Sequence, residues 1–183
     1  MNKADYKYYV FLETINDLIK INLLKFNNIN IIINTDQKNI KINENETAII
    51  KFAKKNKIPF LFKNDIKKCV RYNANGLFIE SSNKRVAKPN LVKKNFIIIG
   101  GVHNQLEYSQ KIKQGCNLLM LSPIFYNKKY SKNNILGITK FNLLSLNWHG
   151  GIIALGGICK NNINKLKSTD SIGCGFKSLI NKV

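Results

Sequence analysis

Two phrases of the sequence share an unusual shape. IIIGGVHNQLEY (97–108) and IIALGGICKNNINKL (152–166) each run from bulky apolar residues into a glycine pair, then into a polar step with helical spacing. Glycine weakens a strand unless the backbone needs unusual dihedrals or something must approach it closely. For Gly156 and Gly157 the chemical reading is a phosphate cradle, because N–H groups ahead of a helix beginning near Asn161 or Asn162 favour an anion. The structural reading is close helix–strand packing. GCGFKS (173–178) can add further N–H groups, the Ser178 hydroxyl and Lys177. Asp65 suits a single carboxylate ligand of Mg²⁺, with waters and a substrate phosphate completing the shell; it equally suits the N-cap of a helix starting at Ile66. An imidazole at His103 can act as general base or hold a ligand group, or serve only its loop. His149, beside Trp148, is expected to be structural.

Such residues need elements to position them. Short apolar runs at Tyr8–Leu12, Ile29–Ile33, Pro59–Phe62, Gly76–Ile79, Phe96–Ile99, Leu118–Leu121, Ile152–Leu155 and Ser171–Gly173 lack a clean period of two, as strands buried on both faces do. Helix-compatible segments lie between them at Thr14–Phe26, Glu46–Asn56, Ile66–Asn73 and Gln105–Gln114. In the last, Leu106 and Ile112 are expected to form the apolar stripe, with Lys111 and Lys113 on another side. Eight β-then-α units in 183 residues predict a compact (β/α)₈ TIM barrel with shortened helices, since the length lies below the usual range of that fold. An open doubly wound sheet is the alternative. One domain over 1–183 is expected. In a barrel, functional residues gather just past the strand ends, at Asn34–Gln37, Lys63–Asp65, Glu80–Asn83, Gly100–Asn104, Ser122–Lys132, Gly156–Asn161 and Gly173–Ser178. Three of the ten acids fall there: Asp36, Asp65 and Glu80.

Composition narrows the function classes. A formal charge of +20 invites a nucleic-acid reading. Only Arg71 and Arg85 are arginines, however, and lysine is spread along the whole chain, whereas a dedicated face clusters its charge and favours arginine. No specific nucleic-acid partner is expected. No apolar run approaches the roughly 20 residues of a membrane span, and MNKADYKYYV lacks a signal-peptide h-region, so a cytoplasmic location away from membranes is expected. Cys69, Cys116, Cys159 and Cys174 form no C-x-x-C pair and read as reduced, mostly buried thiols.

In order, KNDI, NANGL, GVHNQLE, SPIF, LG, ALGGI and GCGFKS, running from Ile58 to the C-terminus, resemble thiamine phosphate synthase and its TenI-type relatives. The most specific elements are SPIF and ALGGI. The resemblance implies a (β/α)₈ barrel that holds a thiazole phosphate on Gly156, Gly157 and Ser178. It also implies a coupling reaction in which pyrimidine pyrophosphate ionises, Mg²⁺ and basic groups stabilise the departing charge, and the thiazole nitrogen attacks. Asn64 and Ser122 join the implied substrate-binding set, and Asp65 matches one of two metal acids. Lys129, or its neighbour Lys128, matches the lysine of the loop after strand six, and His103 matches the proton-transfer histidine of TenI-type thiazole tautomerases. Departures accompany the match. The Q-x-R-x-K element that grips pyrophosphate has no counterpart in INIIINTDQ (29–37), and H-x-G-Q-x-D becomes FIESSN (78–83), leaving Asn83 where the second metal acid would stand. The small-molecule partner is thus expected to be a thiazole phosphate. Three readings stand: a coupling synthase, a thiazole tautomerase, or a non-catalytic phosphate-binding barrel.

Overall fold

Eight parallel strands pair in sequence order and close on themselves, in a computed structural model that describes residues 6–14, 16–17, 27–34, 42–85, 95–126 and 134–176. They are β1 (Lys7–Leu12), β2 (Ile29–Ile33), β3 (Phe60–Lys63), β4 (Gly76–Ile79), β5 (Ile97–Val102), β6 (Leu118–Leu121), β7 (Gly151–Leu155) and β8 (Ser171–Phe176). Closure is made by β1 on β8, in register from Lys7 with Gly173 to Val10 with Phe176. The fold is a (β/α)₈ barrel. An open sheet would leave β1 and β8 as edges; closure leaves no edge to protect.

Two apolar clusters follow from strand alternation. Tyr9, Phe11, Ile32, Leu61, Phe78, Ile99, Met120 and Ile153 fill the barrel, and residues of opposite parity, such as Val10, Ile31, Phe62 and Leu119, pack outward with the helices. Phe11 and Phe78 meet edge to face, 5.2 Å apart. Asparagines lock the strand starts. Just before β4, Asn75 Oδ1 accepts the Phe60 N–H at 3.1 Å, and just before β6, Asn117 Oδ1 accepts that of Ile98 at 2.8 Å.

The helices are short: α1 (Glu44–Lys55), α2 (Ile66–Arg71), α3 (Tyr108–Lys113, preceded by a 3₁₀ turn at Gln105–Glu107) and α4 (Gly137–Ser145), with a 3₁₀ helix at Ile163–Ser168. The segment expected to be helical over Thr14–Phe26 lies mostly outside the described residues. A capping box starts α1: Asn43 Oδ1 accepts the Glu46 N–H at 2.7 Å, and Glu46 Oε2 accepts that of Asn43 at 2.9 Å. The same Glu46 pairs with Lys68 at 2.7 Å, both buried, and so ties α1 to α2.

Two expectations are corrected. The stripe over Gln105–Gln114 is reversed except at Lys113: Leu106 and Ile112 are 87% and 63% exposed and Lys113 is exposed as expected, while Lys111 is wholly buried. Its ammonium finds three oxygen acceptors, and Gly100 leaves space for its stem: a Cβ there would lie 2.8 Å from Lys111 Cδ and 2.9 Å from Cys116 Sγ. A satisfied ammonium with a long apolar stem can pack inward where periodicity alone assigns it to solvent. Secondly, Gly100 and Gly101 lie inside β5, and Gly173 and Gly175 inside β8, so these glycines belong to the barrel wall and not to rim loops.

Candidate functional site

The C-terminal strand ends build three neighbouring polar groups. The first joins β6 and β7. Gly156 and Gly157 have φ of 95° and 68°, a region that side-chain-bearing residues rarely adopt. A Cβ on Gly156 would lie 2.8 Å from Pro123 Cα; one on Gly157 would overlap the Phe125 carbonyl. The stretch Ser122–Phe125 therefore lies directly across the pair. Ile124 N–H donates to Leu155 O at 2.9 Å and Phe125 N–H to Gly156 O at 3.0 Å; the Ser122–Pro123 peptide is cis. The glycines do permit close packing, but of one loop on another. Ser122 is buried where this crossing begins.

Asn162 braces the same loop, its Nδ2 donating to Gly157 O and its Oδ1 accepting from Cys159 N–H, both at 2.8 Å. The N–H groups of Gly157 and Ile158 have no acceptor among the described residues. The segment beyond is the 3₁₀ helix from Ile163 rather than an α-helix. Sequence reading did not single out the Asn162 brace. Its signal is an asparagine five residues past the second glycine, a residue type that closes local turns through its side chain.

The second group joins β3 and β4. Asn64 has φ of 56°, which asparagine tolerates better than most residues. Its Oδ1 accepts from Glu80 N–H at 2.9 Å and Asn83 Nδ2 at 3.1 Å, and its Nδ2 donates to Glu80 Oε2 at 2.9 Å. Glu80 Oε1 pairs with Lys63 Nζ at 2.8 Å. Asp65 caps α2, its Oδ1 accepting the Lys68 N–H at 2.9 Å.

Behind this rim, Lys111 Nζ donates to Glu80 O at 2.7 Å, Asn83 O at 3.3 Å and Gln114 Oε1 at 2.9 Å. Gln114 Nε2 donates to Asn83 O and Arg85 O at 2.7 and 2.8 Å, and Gln110 Nε2 to Lys84 O at 3.0 Å. One face of α3 thus holds residues 80–85. Burial pushes the Lys111 pKa down.

The third group follows β5. His103 is about one-third exposed, and its Nδ1 lies 3.5 Å from Glu107 Oε2. That carboxylate also accepts the His103 backbone N–H at 2.9 Å, which fixes it beside the ring. At the end of β2, Asn34 is buried; its Nδ2 bonds the Glu13 carboxylate, and its Oδ1 has no hydrogen-bond partner among the described residues. Lys128, Lys129, Lys177, Ser178 and Asp36 lie outside the described residues.

Other features face away from this rim. A cavity of about 530 Å³ opens at the strand starts, among Lys7, Asn28, Asn30, Lys57 and Asn95, the end of a barrel that serves stability. Burial raises the thiols of Cys69 and Cys174 to about 12 and that of Cys116 to about 11, so these groups stay protonated. Among the described residues no three His, Cys, Asp or Glu side chains gather as metal ligands, and no helix is long and apolar enough to cross a membrane.

Residues 13–180 match the family described as thiamine monophosphate synthase. A thiamine-phosphate synthase of Prochlorococcus marinus is 34% identical over 87 residues, which cover 47% of this chain and 24% of that protein's length. A thiamine phosphate pyrophosphorylase from Pyrococcus furiosus superposes with a TM-score of 0.72 at 16% identity, over 96% of this chain and 87% of its own. One from Bacteroides thetaiotaomicron gives 0.57 at 13% identity, over 95% and 83%. At these identities the structural likenesses speak for the barrel alone.

Proposed function

Because the chain belongs to the thiamine monophosphate synthase family, we propose that it binds a thiazole phosphate at the C-terminal mouth of the barrel. The observation that carries this reading is the Gly156–Gly157 turn: two positive-φ glycines, braced by Asn162, leave the N–H groups of Gly157 and Ile158 without an acceptor among the described residues. A phosphate oxygen would meet two preorganised donors there. Ser122, at the crossing of the two loops, and Ser178 complete the proposed contacts.

Coupling is a separate question, because it asks the site to hold Mg²⁺ and a pyrophosphate. The residues fit Mg²⁺ poorly. Asp65 spends one carboxylate oxygen on α2, Asn83 stands where a second acid is expected, and both Glu80 oxygens already have partners. A hard dication needs several oxygens free to ligate it. The reading is therefore phosphate binding without the metal-assisted coupling step.

A second reading, thiazole tautomerisation, is favoured by His103 and Glu107. A carboxylate facing Nδ1 orients an imidazole to move a proton through its other nitrogen. Lys129 would matter to the coupling reaction alone.

The test begins with titration calorimetry of thiazole phosphate. Binding is expected, and Asn162→Ala is expected to weaken it by about tenfold through loss of the loop brace. No heat at millimolar ligand removes both thiamine readings. Incubation with thiazole phosphate, pyrimidine pyrophosphate and Mg²⁺ is expected to yield no thiamine phosphate; rapid product formation would restore the synthase reading. Proton exchange on the thiazole that disappears in His103→Ala would establish the tautomerase.

A further inference from the structure

We propose that the β3–β4 rim carries resident cations of its own, Lys63 and Lys111, in place of a divalent metal, and takes a phosphate monoester rather than a metal-chelated diphosphate. The second clause rests on the phosphate reading above; the first does not.

Of the carboxylate and side-chain amide oxygens that could serve a dication there, all but Asp65 Oδ2 are already engaged by protein. Glu80 gives Oε1 to the Lys63 ammonium at 2.8 Å and Oε2 to Asn64 at 2.9 Å. Asn83 Oδ1 accepts from Arg85 N–H at 3.0 Å, and Asn64 Oδ1 accepts two donors. The backbone carbonyls of Glu80 and Asn83 would be natural further ligands, yet Lys111 Nζ takes both, with Gln114 Oε1 as its third acceptor. The lysine is coordinated by oxygens much as a metal ion would be. It orders residues 80–85 from behind while Lys63 neutralises Glu80 from the mouth. A dication entering this rim would meet two ammonium groups across a single Glu80, a like-charge arrangement that disfavours it strongly at low local dielectric.

The arrangement is built into the barrel wall. Gly100 clears the path of the Lys111 stem, and the Lys63 side chain is nine-tenths buried. These groups form the wall of the mouth rather than a solvated surface. With Lys63 paired to Glu80, the small net charge left at this rim suits one phosphate better than a pyrophosphate that must arrive with metal.

Mn²⁺ titration of the full chain, followed by electron paramagnetic resonance without organic ligand, tests this directly. The wild type is expected to leave Mn²⁺ free up to millimolar concentration. Lys63→Gln, which releases Glu80 Oε1, is expected to bind Mn²⁺ at least about tenfold more tightly. Stoichiometric binding by the wild type that Asp65→Asn or Glu80→Gln abolishes overturns the proposal, whether or not Lys63→Gln folds. Inorganic phosphate affinity, followed by phosphorus NMR, is expected to be the same in EDTA and in Mg²⁺; a Mg²⁺-dependent gain lost in Asp65→Asn also overturns it. Absence of any phosphate binding would sink the thiazole-phosphate reading, and the Mn²⁺ result would still judge the resident cations.

Discussion

At Gly100 the space of a missing side chain is taken by a lysine stem; at Gly157 it is taken by the backbone of another loop. The two pairs end similar apolar phrases, but Gly100 sits in ordinary strand conformation, and what crowds it is the flexible Lys111 and the Cys116 sulfur. Gly157 has φ of 68° and faces the Phe125 carbonyl and Tyr126 O, neither of which can rotate away. One pair admits a charge into the wall, where it holds residues 80–85. The other fixes a crossing of two loops and leaves two N–H groups without an acceptor among the described residues. A glycine pair therefore says that something comes close, and the nature of the neighbour decides what it is for.

Gly157→Ala should break this contrast hardest. Left-handed strain and backbone overlap together are expected to cost about 3 kcal/mol or more in urea unfolding, with loss of phosphate binding in whatever folds. Lys111→Met should come next, at about 2 kcal/mol, because the carbonyls of Glu80 and Asn83 lose a charged donor; hydrogen exchange should rise specifically over residues 80–85.

The same lysine gives a pH signature. Burial lowers its pKa from 10.5 in the folded protein, so between the depressed value and the ordinary one the unfolded chain binds more protons. Wild-type stability relative to Lys111→Met should rise with pH across that window, and the gain should vanish as pH falls through the depressed value. A flat difference would mean that the three oxygen acceptors offset the cost of burying the ammonium in full.

Gly100→Ala is expected to cost about 1–2 kcal/mol, less than Gly157→Ala, because its neighbours can give way without a backbone penalty. Equal costs for the two substitutions, measured by the same unfolding experiment, would erase the distinction between them. His103→Ala should change stability by less than about 0.5 kcal/mol, since the ring is partly exposed; its effect is expected only in proton exchange on the thiazole.

Much of the barrel was legible because parallel strands buried on both faces must be apolar along their whole length. Ile29–Ile33, Gly76–Ile79 and Leu118–Leu121 begin and end where the apolar runs do. Glycine blurred the ends elsewhere: β5 continues through Gly100–Gly101 to Val102, and β8 through Gly175 to Phe176. A glycine inside a closed barrel wall gives no pattern signal of its own, because pairing on both sides decides whether the strand goes on. The α3 face was misread for a related reason. Periodicity assigns lysine to solvent, yet three acceptors and the space left by Gly100 let it bury.

By itself, then, the sequence determined the alternation of apolar strands and polar connectors, the loops that carry functional residue types, and the family motifs from Ile58 onward. Local propensity and hydrophobic burial act within a few residues of one another, so they leave that record in the chain. Only tertiary structure decided closure, the Asn162 brace, the loop laid across Gly156–Gly157, and the pairing of Lys63 and Lys111 with one short stretch. Each of those joins atoms from separate strands or loops, and a polar group's role rests on which partner the fold delivers to it.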